Sequence, residues 1–119
     1  MAKKIITTEK LQGLRKGSTG FLLIDVLAKE AFAKDHIPGA RNVPLDTADF
    51  AKVVADTAAG CRGMHVVVYC ASAACDASSK AAQLLCDGGF TNVREYEGGL
   101  AAWNESTRAR VARHARTPC

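Results

Sequence analysis

Apolar runs alternate with amphipathic stretches along this chain, and the alternation predicts strands that are separated by helices. Phe21–Val26 and Met64–Tyr69 are dominated by consecutive apolar residues over about the length of one strand. Runs of this kind are typical of strands that are covered on both faces. Shorter extended segments are expected at Lys3–Thr7, at Asn42–Val43 and at Thr91–Tyr96.

Helix signals fall between these strands. A helix capped by Thr7 or Thr8, with Glu9 in its first turn, is expected to end near Gly17. The further predicted helical segments are Ala28–Lys34, Asp46–Ala59, Ala77–Asp87 and a short helix that follows a Gly-rich turn within Glu97–Trp103. The pattern therefore predicts an α/β fold, a small parallel β-sheet with helices on both faces.

Length and composition favour one ordinary globular domain. The chain has 119 residues, of which 48% are hydrophobic and 24% are charged. No apolar run has the length of a membrane span, and the first twenty residues lack the pattern of a secretory signal. We therefore expect no membrane partner and a cytoplasmic location.

The net charge of +4 is concentrated near the carboxyl terminus. Residues 104–119 hold one acidic residue, Glu105, and four arginines: Arg108, Arg110, Arg113 and Arg116. Because the rest of the chain is close to neutral, nucleic acid is not an expected partner. The basic segment is predicted to be a solvated helix or tail, with an acidic partner as the alternative.

The five cysteines do not suggest a disulfide framework or a zinc site. Their number is odd, and Cys70 and Cys75 have no second ligand pair at a zinc-binding spacing. No metal is therefore expected.

Cys70 is the strongest candidate for chemistry. It follows a predicted buried strand and precedes a predicted helix, and ligands of parallel sheets bind beyond the carboxyl ends of the strands. Backbone N–H groups and a helix N-terminus favour an anion at such a place. We therefore expect Cys70 to be more acidic than an ordinary cysteine and to be a nucleophile.

Several motifs in sequence order resemble those of the rhodanese family of sulfurtransferases. They are LLIDV, HIPGARNVP, VVVYC and GGFTNVREYEGGLAAW, and the similarity covers Ile5–Trp103. The resemblance implies a single rhodanese-like domain at residues 1–103, followed by the basic segment at 104–119. It also implies that Cys70 is the sulfur-carrying residue.

The resemblance further implies the reaction of a rhodanese-type sulfurtransferase. Sulfane sulfur from a persulfide, polysulfide or thiosulfate donor, small or protein-bound, would pass through a Cys70 persulfide to a thiol-type acceptor, with no metal or organic cofactor. The substrate-binding cradle would be the backbone of the loop after Cys70, where convergent N–H groups bind anions. Its residues are Ala71, Ser72, Ala73, Ala74 and Asp76.

The loop departs from the family pattern in its charge and length. Many active rhodaneses carry a basic residue here, whereas this chain has none between Cys70 and Lys80, and Leu27 stands where the family commonly has arginine. A persulfide or polysulfide is thus favoured over thiosulfate. The interval from Cys70 to Gly89 is about two residues longer than in the short-loop pattern. Phosphatase relatives have a wider loop, but they need an arginine where Cys75 and Asp76 stand.

Cys75 gives rise to two hypotheses. As a resolving cysteine it would attack the Cys70 persulfide, release hydrosulfide and leave a Cys70–Cys75 disulfide; otherwise it is a small residue packed at the start of the helix. The same pair also supports an alternative function, a non-catalytic rhodanese-like module that binds a partner or senses oxidation.

Overall fold

A computed structural model of the chain describes residues 4–16, 20–72 and 75–116. Its strands are β1 (Lys4–Ile6), β2 (Leu22–Asp25), β3 (Arg41–Asn42), β4 (Val66–Tyr69) and β5 (Val93–Tyr96). Its helices are α1 (Thr8–Lys16), α2 (Lys29–Lys34), α3 (Phe50–Thr57), α4 (Ala77–Asp87) and α5 (Gly99–Arg116). Strands and helices alternate from end to end, as the sequence predicts.

The strands form one parallel sheet in the order β1-β5-β4-β2-β3. Every pair of neighbours is parallel, and β4 is the central strand, paired with β2 and with β5. The edge strands are the shortest, with three residues in β1 and two in β3. The predicted α/β fold with a small parallel sheet is confirmed, and the segment after β4 leaves the sheet at its centre.

Two apolar cores cover the two faces of the sheet. Val66 and Val68 of β4 pack with residues of α3 and α4, whereas Val67 and Tyr69 pack on the other face with α1 and with Trp103 of α5. Side chains alternate between faces along a strand. Cys70 therefore continues the phase of Val68 and lies in the core beneath α4.

Two helix boundaries differ from the prediction by four residues or more. Helix α3 begins at Phe50 rather than near Asp46, because the Thr47 N–H bonds to the Pro44 carbonyl and Asp49 has a positive φ of 54°. Both features turn the chain before the helix can start.

Helix α5 continues to Arg116 instead of stopping near Trp103. Residues 104–116 contain no glycine or proline and are rich in alanine and arginine, which are strong helix formers. The division of the chain into 1–103 and 104–119 stays a prediction. In the part of the chain that is described, no helix is long and apolar enough to cross a membrane.

Candidate active site

Cys70 is fully buried directly after β4, with none of its surface exposed to solvent. Its Sγ lies 3.4 Å from the carbonyl oxygen of Cys75, 3.8 Å from that of Ser72 and 3.5 Å from the hydroxyl of Ser78. The two carbonyl oxygens can only accept a hydrogen bond and would repel a thiolate, whereas the Ser78 hydroxyl can accept or donate one. The surroundings of Cys70 therefore suit a thiol that donates a hydrogen bond.

Ser78, in the first turn of α4, links Cys70 to a buried carboxylate. Its hydroxyl donates a hydrogen bond of 2.8 Å to Oε2 of Glu95, and both side chains are buried. Glu95 also makes a further interaction besides the one with Ser78. A chain of contacts thus runs from the Cys70 thiol through the Ser78 hydroxyl to Glu95.

Glu95 is a site residue that the sequence analysis missed. It lies in β5 in phase with Val93, on the face that packs against α4. An acidic residue at an apolar position of a buried strand is the signal that could have found it, because buried carboxylates need polar partners.

The expectation that Cys70 is unusually acidic is wrong. Burial raises the pKa of Cys70, and the neighbouring Cys75 thiol raises it further, while the hydroxyl and N–H of Ser78 only partly oppose the shift. Desolvation disfavours the charged form of a group. Cys70 follows β4 directly and stays inside the core. The rise in its pKa that burial causes is larger than any lowering by the N-terminus of α4.

Cys75 has the opposite behaviour. Its side chain is half-buried, and burial opposes its ionisation. Nevertheless, hydrogen bonds from the Cys70 thiol and from the N–H groups of Ala77 and Ala71 lower the pKa of Cys75, against the repulsion of Asp76. Of these two hydrogen-bonded thiols, Cys70 therefore holds its proton more tightly and Cys75 is the easier one to ionise.

The loop that holds the pair is fixed by backbone hydrogen bonds. The Cys75 N–H bonds to the Ser72 carbonyl at 3.0 Å. The first turn of α5 supplies two more donors, since the N–H groups of Leu100 and Ala101 bond to the carbonyls of Cys70 and Ala71, each at 2.9 Å. The carbonyls of Cys70 and Ala71 are thereby directed toward α5.

The other residues of the predicted substrate-binding cradle differ in their exposure to solvent. Ala71 is exposed and Ser72 is half-buried, while Ala73 and Ala74 lie outside the described residues. The exposed Asp76 carboxylate lies 3.5 Å from Nζ of Lys80, so the nearest lysine along the chain is paired with an acid. Substrate binding by the predicted cradle stays a prediction.

Asp25, at the end of β2, accepts a hydrogen bond from the backbone of the loop that follows the strand. Its Oδ1 accepts a hydrogen bond of 2.9 Å from the Leu27 N–H. The Asn42 side chain donates to the carbonyls of Asp25 and Leu27, at 3.0 and 2.9 Å. Asp25 is thus a structural residue beside the site. Within the described ranges, no group of three or more His, Cys, Asp or Glu residues could hold a metal ion.

Fold and site together define an α/β protein in which a parallel sheet delivers a thiol to the N-terminus of a helix. Residues 7–106 match the rhodanese-like domain family, and the chain belongs to that family. The thiosulfate sulfurtransferase GlpE of Pseudomonas fluorescens is 31% identical over 110 residues, which cover 92% of each protein. The YqhL protein of Bacillus subtilis is 31% identical over 108 residues, which cover 91% of this chain and 80% of YqhL.

Solved structures share the fold. The rhodanese-like domain of the Alr3790 protein from Anabaena superimposes with a TM-score of 0.73 and 28% identity, covering 89% of this chain and 76% of that one. The human single-domain sulfurtransferase TSTD1 has a TM-score of 0.72 and 24% identity, with coverage of 88% and 97%. The single rhodanese-like domain expected from the motifs is therefore confirmed.

Proposed function

We propose that this protein is a rhodanese-type sulfurtransferase that stores sulfane sulfur on Cys70 and passes it to a thiol acceptor. The observation that carries the proposal is the contact between the buried Cys70 thiol and the more acidic Cys75 at the N-terminus of α4. The similarity to a thiosulfate sulfurtransferase along nearly the whole chain supports it. Because free thiols need a reducing compartment, we place the reaction in the cytoplasm.

Cys75 supplies the base that Cys70 requires. The Cys70 thiol already donates a hydrogen bond to Cys75, so its proton can pass to the Cys75 thiolate as the sulfur of Cys70 attacks the outer sulfur of the donor. The S–S bond of the donor breaks, Cys70 gains a persulfide, and the departing donor thiolate takes the proton back from Cys75. Cys75 is again a thiolate at the end of this half-reaction.

The second half-reaction returns Cys70 to its starting state. An acceptor thiolate attacks the outer sulfur of the Cys70 persulfide, and the S–S bond on Cys70 breaks. The acceptor leaves as a persulfide, and the Cys70 thiolate takes up the proton that the acceptor thiol gave up when it ionised. The hydroxyl and N–H of Ser78 face the sulfur of Cys70 and stabilise its anion while that proton is absent.

The charge around the loop favours a persulfide or polysulfide donor. Asp76 is the first charged residue after Cys70, and the first lysine, Lys80, is paired with it. A dianion such as thiosulfate would therefore lack a free basic partner on this loop. We expect turnover with thiosulfate to be slower than with a polysulfide.

The direct test is the transfer of sulfur from each donor to excess thiol, compared between the wild type, Cys70→Ala and the control Cys61→Ser, which changes an exposed cysteine outside the loop. The wild type and the control should turn over, with polysulfide preferred, whereas Cys70→Ala should lose sulfur transfer altogether, because no atom remains to carry the sulfur. Full turnover in Cys70→Ala, or none in the wild type with any donor, would contradict the proposal.

A non-catalytic redox-sensing module is the second candidate, favoured by the contact between the two thiols. A sensor would form a Cys70–Cys75 disulfide with a mild oxidant but would transfer no sulfur from any donor. The same turnover measurement, accompanied by titration of free thiols, separates the two functions.

A further inference from the structure

We propose that the Cys70–Cys75 pair also reduces sulfane sulfur, releasing it as hydrosulfide while the two cysteines close a disulfide. This inference goes beyond transfer to an acceptor and rests on the proposed function only for the loading of Cys70. It makes Cys75 a second catalytic residue, first as the base for Cys70 and then as the nucleophile that attacks Cys70.

The geometry places Cys75 against the sulfur that it would attack. The Cys75 N–H bonds to the Ser72 carbonyl, the Cys75 carbonyl oxygen lies 3.4 Å from Sγ of Cys70, and the two thiols are hydrogen-bonded to each other. Cys70 is fully buried, whereas Cys75 is half-buried. Loaded sulfur on Cys70 therefore has a nucleophile beside it before any external acceptor arrives.

The same contacts keep Cys75 ready to react. The N–H groups of Ala77 and Ala71, together with the Cys70 thiol, lower its pKa. A cysteine that only filled space at the start of α4 would need no such set of donors. The thiolate is the reactive form in thiol–disulfide chemistry, so these donors support a role as nucleophile.

The step balances in atoms, charge and electrons. The Cys75 thiolate attacks Sγ of the Cys70 persulfide, the bond between Sγ and the outer sulfur breaks, and the outer sulfur leaves as hydrosulfide with the persulfide proton. The two cysteine sulfurs lose two electrons in total, and the sulfane sulfur gains them. A thiol or dithiol reductant then reduces the disulfide and restores the pair.

A single-turnover experiment without reductant tests the proposal. The reduced full-length protein receives one equivalent of an organic persulfide, whose leaving group is an ordinary thiol, so that any hydrosulfide comes from the sulfur loaded on Cys70. Hydrosulfide, free thiols and cross-linked peptides are then measured by trapping and mass spectrometry. The variants are Cys75→Ser, Cys75→Ala and the control Cys61→Ser, and circular dichroism verifies that each variant is folded.

The wild type and Cys61→Ser should release about one hydrosulfide per chain, lose two thiols and yield a Cys70–Cys75 cross-link. Both Cys75 variants should load sulfur more slowly, because the base is absent. They should then retain the sulfur atom on Cys70 and release no hydrosulfide, because no neighbouring thiolate can displace it. Serine and alanine differ in polarity, so a packing effect should differ between the two variants. Loss of the thiol should affect both equally.

Two results would overturn the inference. If the wild type holds a stable Cys70 persulfide and forms no cross-link, the pair does not reduce sulfur, although the proposed transfer to an acceptor survives. If hydrosulfide is released equally by the Cys75 variants, an external thiol or water acts instead. A wild type that takes up no sulfur at all removes the proposed function itself, and the inference with it.

Discussion

At the scale of single residues, the position of each sulfur decides its chemistry. The Cys70 side chain points into the core and is fully buried. Cys75, five residues later, accepts hydrogen bonds from two backbone N–H groups and from the Cys70 thiol. Burial and hydrogen bonding therefore push the pKa values of two cysteines in opposite directions, so one holds a proton that the other can accept.

Ser78 should matter more than its size suggests. Ser78→Ala leaves the buried Glu95 without its hydroxyl donor and should cost about 1–3 kcal/mol in the free energy of unfolding. It should also raise the pKa of Cys70 further, because the hydroxyl lowers it now, and so slow the loading of sulfur at neutral pH. Urea unfolding and single-turnover loading measure the two effects. An unchanged free energy of unfolding and an unchanged loading rate in Ser78→Ala would contradict the role of Ser78.

The sequence was sufficient to locate Cys70 but not to assign its charge. A run of valines that ends in a cysteine predicts a thiol at the carboxyl edge of the sheet, and that placement is correct. Whether the following loop offers amides or carbonyls to the sulfur depends on distant contacts, such as those of Leu100 and Ala101. The role of Glu95 could not be predicted from the sequence, because its partner Ser78 is far from it along the chain.

At the scale of elements, the first turn of α5 determines the shape of the catalytic loop. Gly99 has a φ of +64°, and a Cβ placed on it would come within 2.4 Å of the Cys70 carbonyl oxygen and 2.9 Å of the Ser72 nitrogen. The close approach lets two N–H groups of the helix bind the loop carbonyls. The motif EGGLAAW predicts a turn into a helix, but only the folded chain brings that turn against the loop.

Gly99→Ala should therefore damage both stability and activity. We expect a loss of about 2–4 kcal/mol in the free energy of unfolding, because the positive φ is strained for alanine and the added methyl meets backbone that cannot move freely. Sulfur transfer should fall with it, since the loop carbonyls must shift. Thermal unfolding and turnover measure both.

Gly13→Ala in α1 is the matched control. Gly13 lies in an exposed helical position, and a Cβ there would meet nothing within 4 Å. Alanine should stabilise that helix by about 0.5–1 kcal/mol and leave turnover unchanged. A Gly99→Ala variant as stable and active as Gly13→Ala would show that the contact between α5 and the loop is unimportant.

At the scale of the whole molecule, one sheet separates two apolar cores. Buried ionisable groups make the free energy of unfolding depend on pH. Burial raises the pKa of Asp25, although the Leu27 N–H and the Tyr69 hydroxyl oppose the shift. The folded state therefore binds this proton more tightly than the unfolded state does. The stability contributed by Asp25 is present at low pH and is lost as the pH rises from about 4, the unfolded value, through the raised folded pKa.

Asp25→Asn should remove this dependence while keeping an oxygen that can accept from the Leu27 N–H. The free energy of unfolding of the variant, relative to the wild type, should increase with pH above about 4, by at most about 1.4 kcal/mol per pH unit, and then level off. Denaturant unfolding at several pH values measures it. His65, whose pKa is lowered by burial, titrates in both proteins and cancels in the difference. A difference that decreases with pH would refute the assignment.

The brevity of the outer strands has a consequence for how the molecule behaves in a crowded solution. Among the residues that the structure describes, β1 and β3 flank the sheet with only three and two residues. An unpaired edge of that length offers a neighbouring chain too few free backbone groups to extend the sheet, so fibril-like growth has little template. Such a protein can be abundant without its β-structure becoming an aggregation hazard.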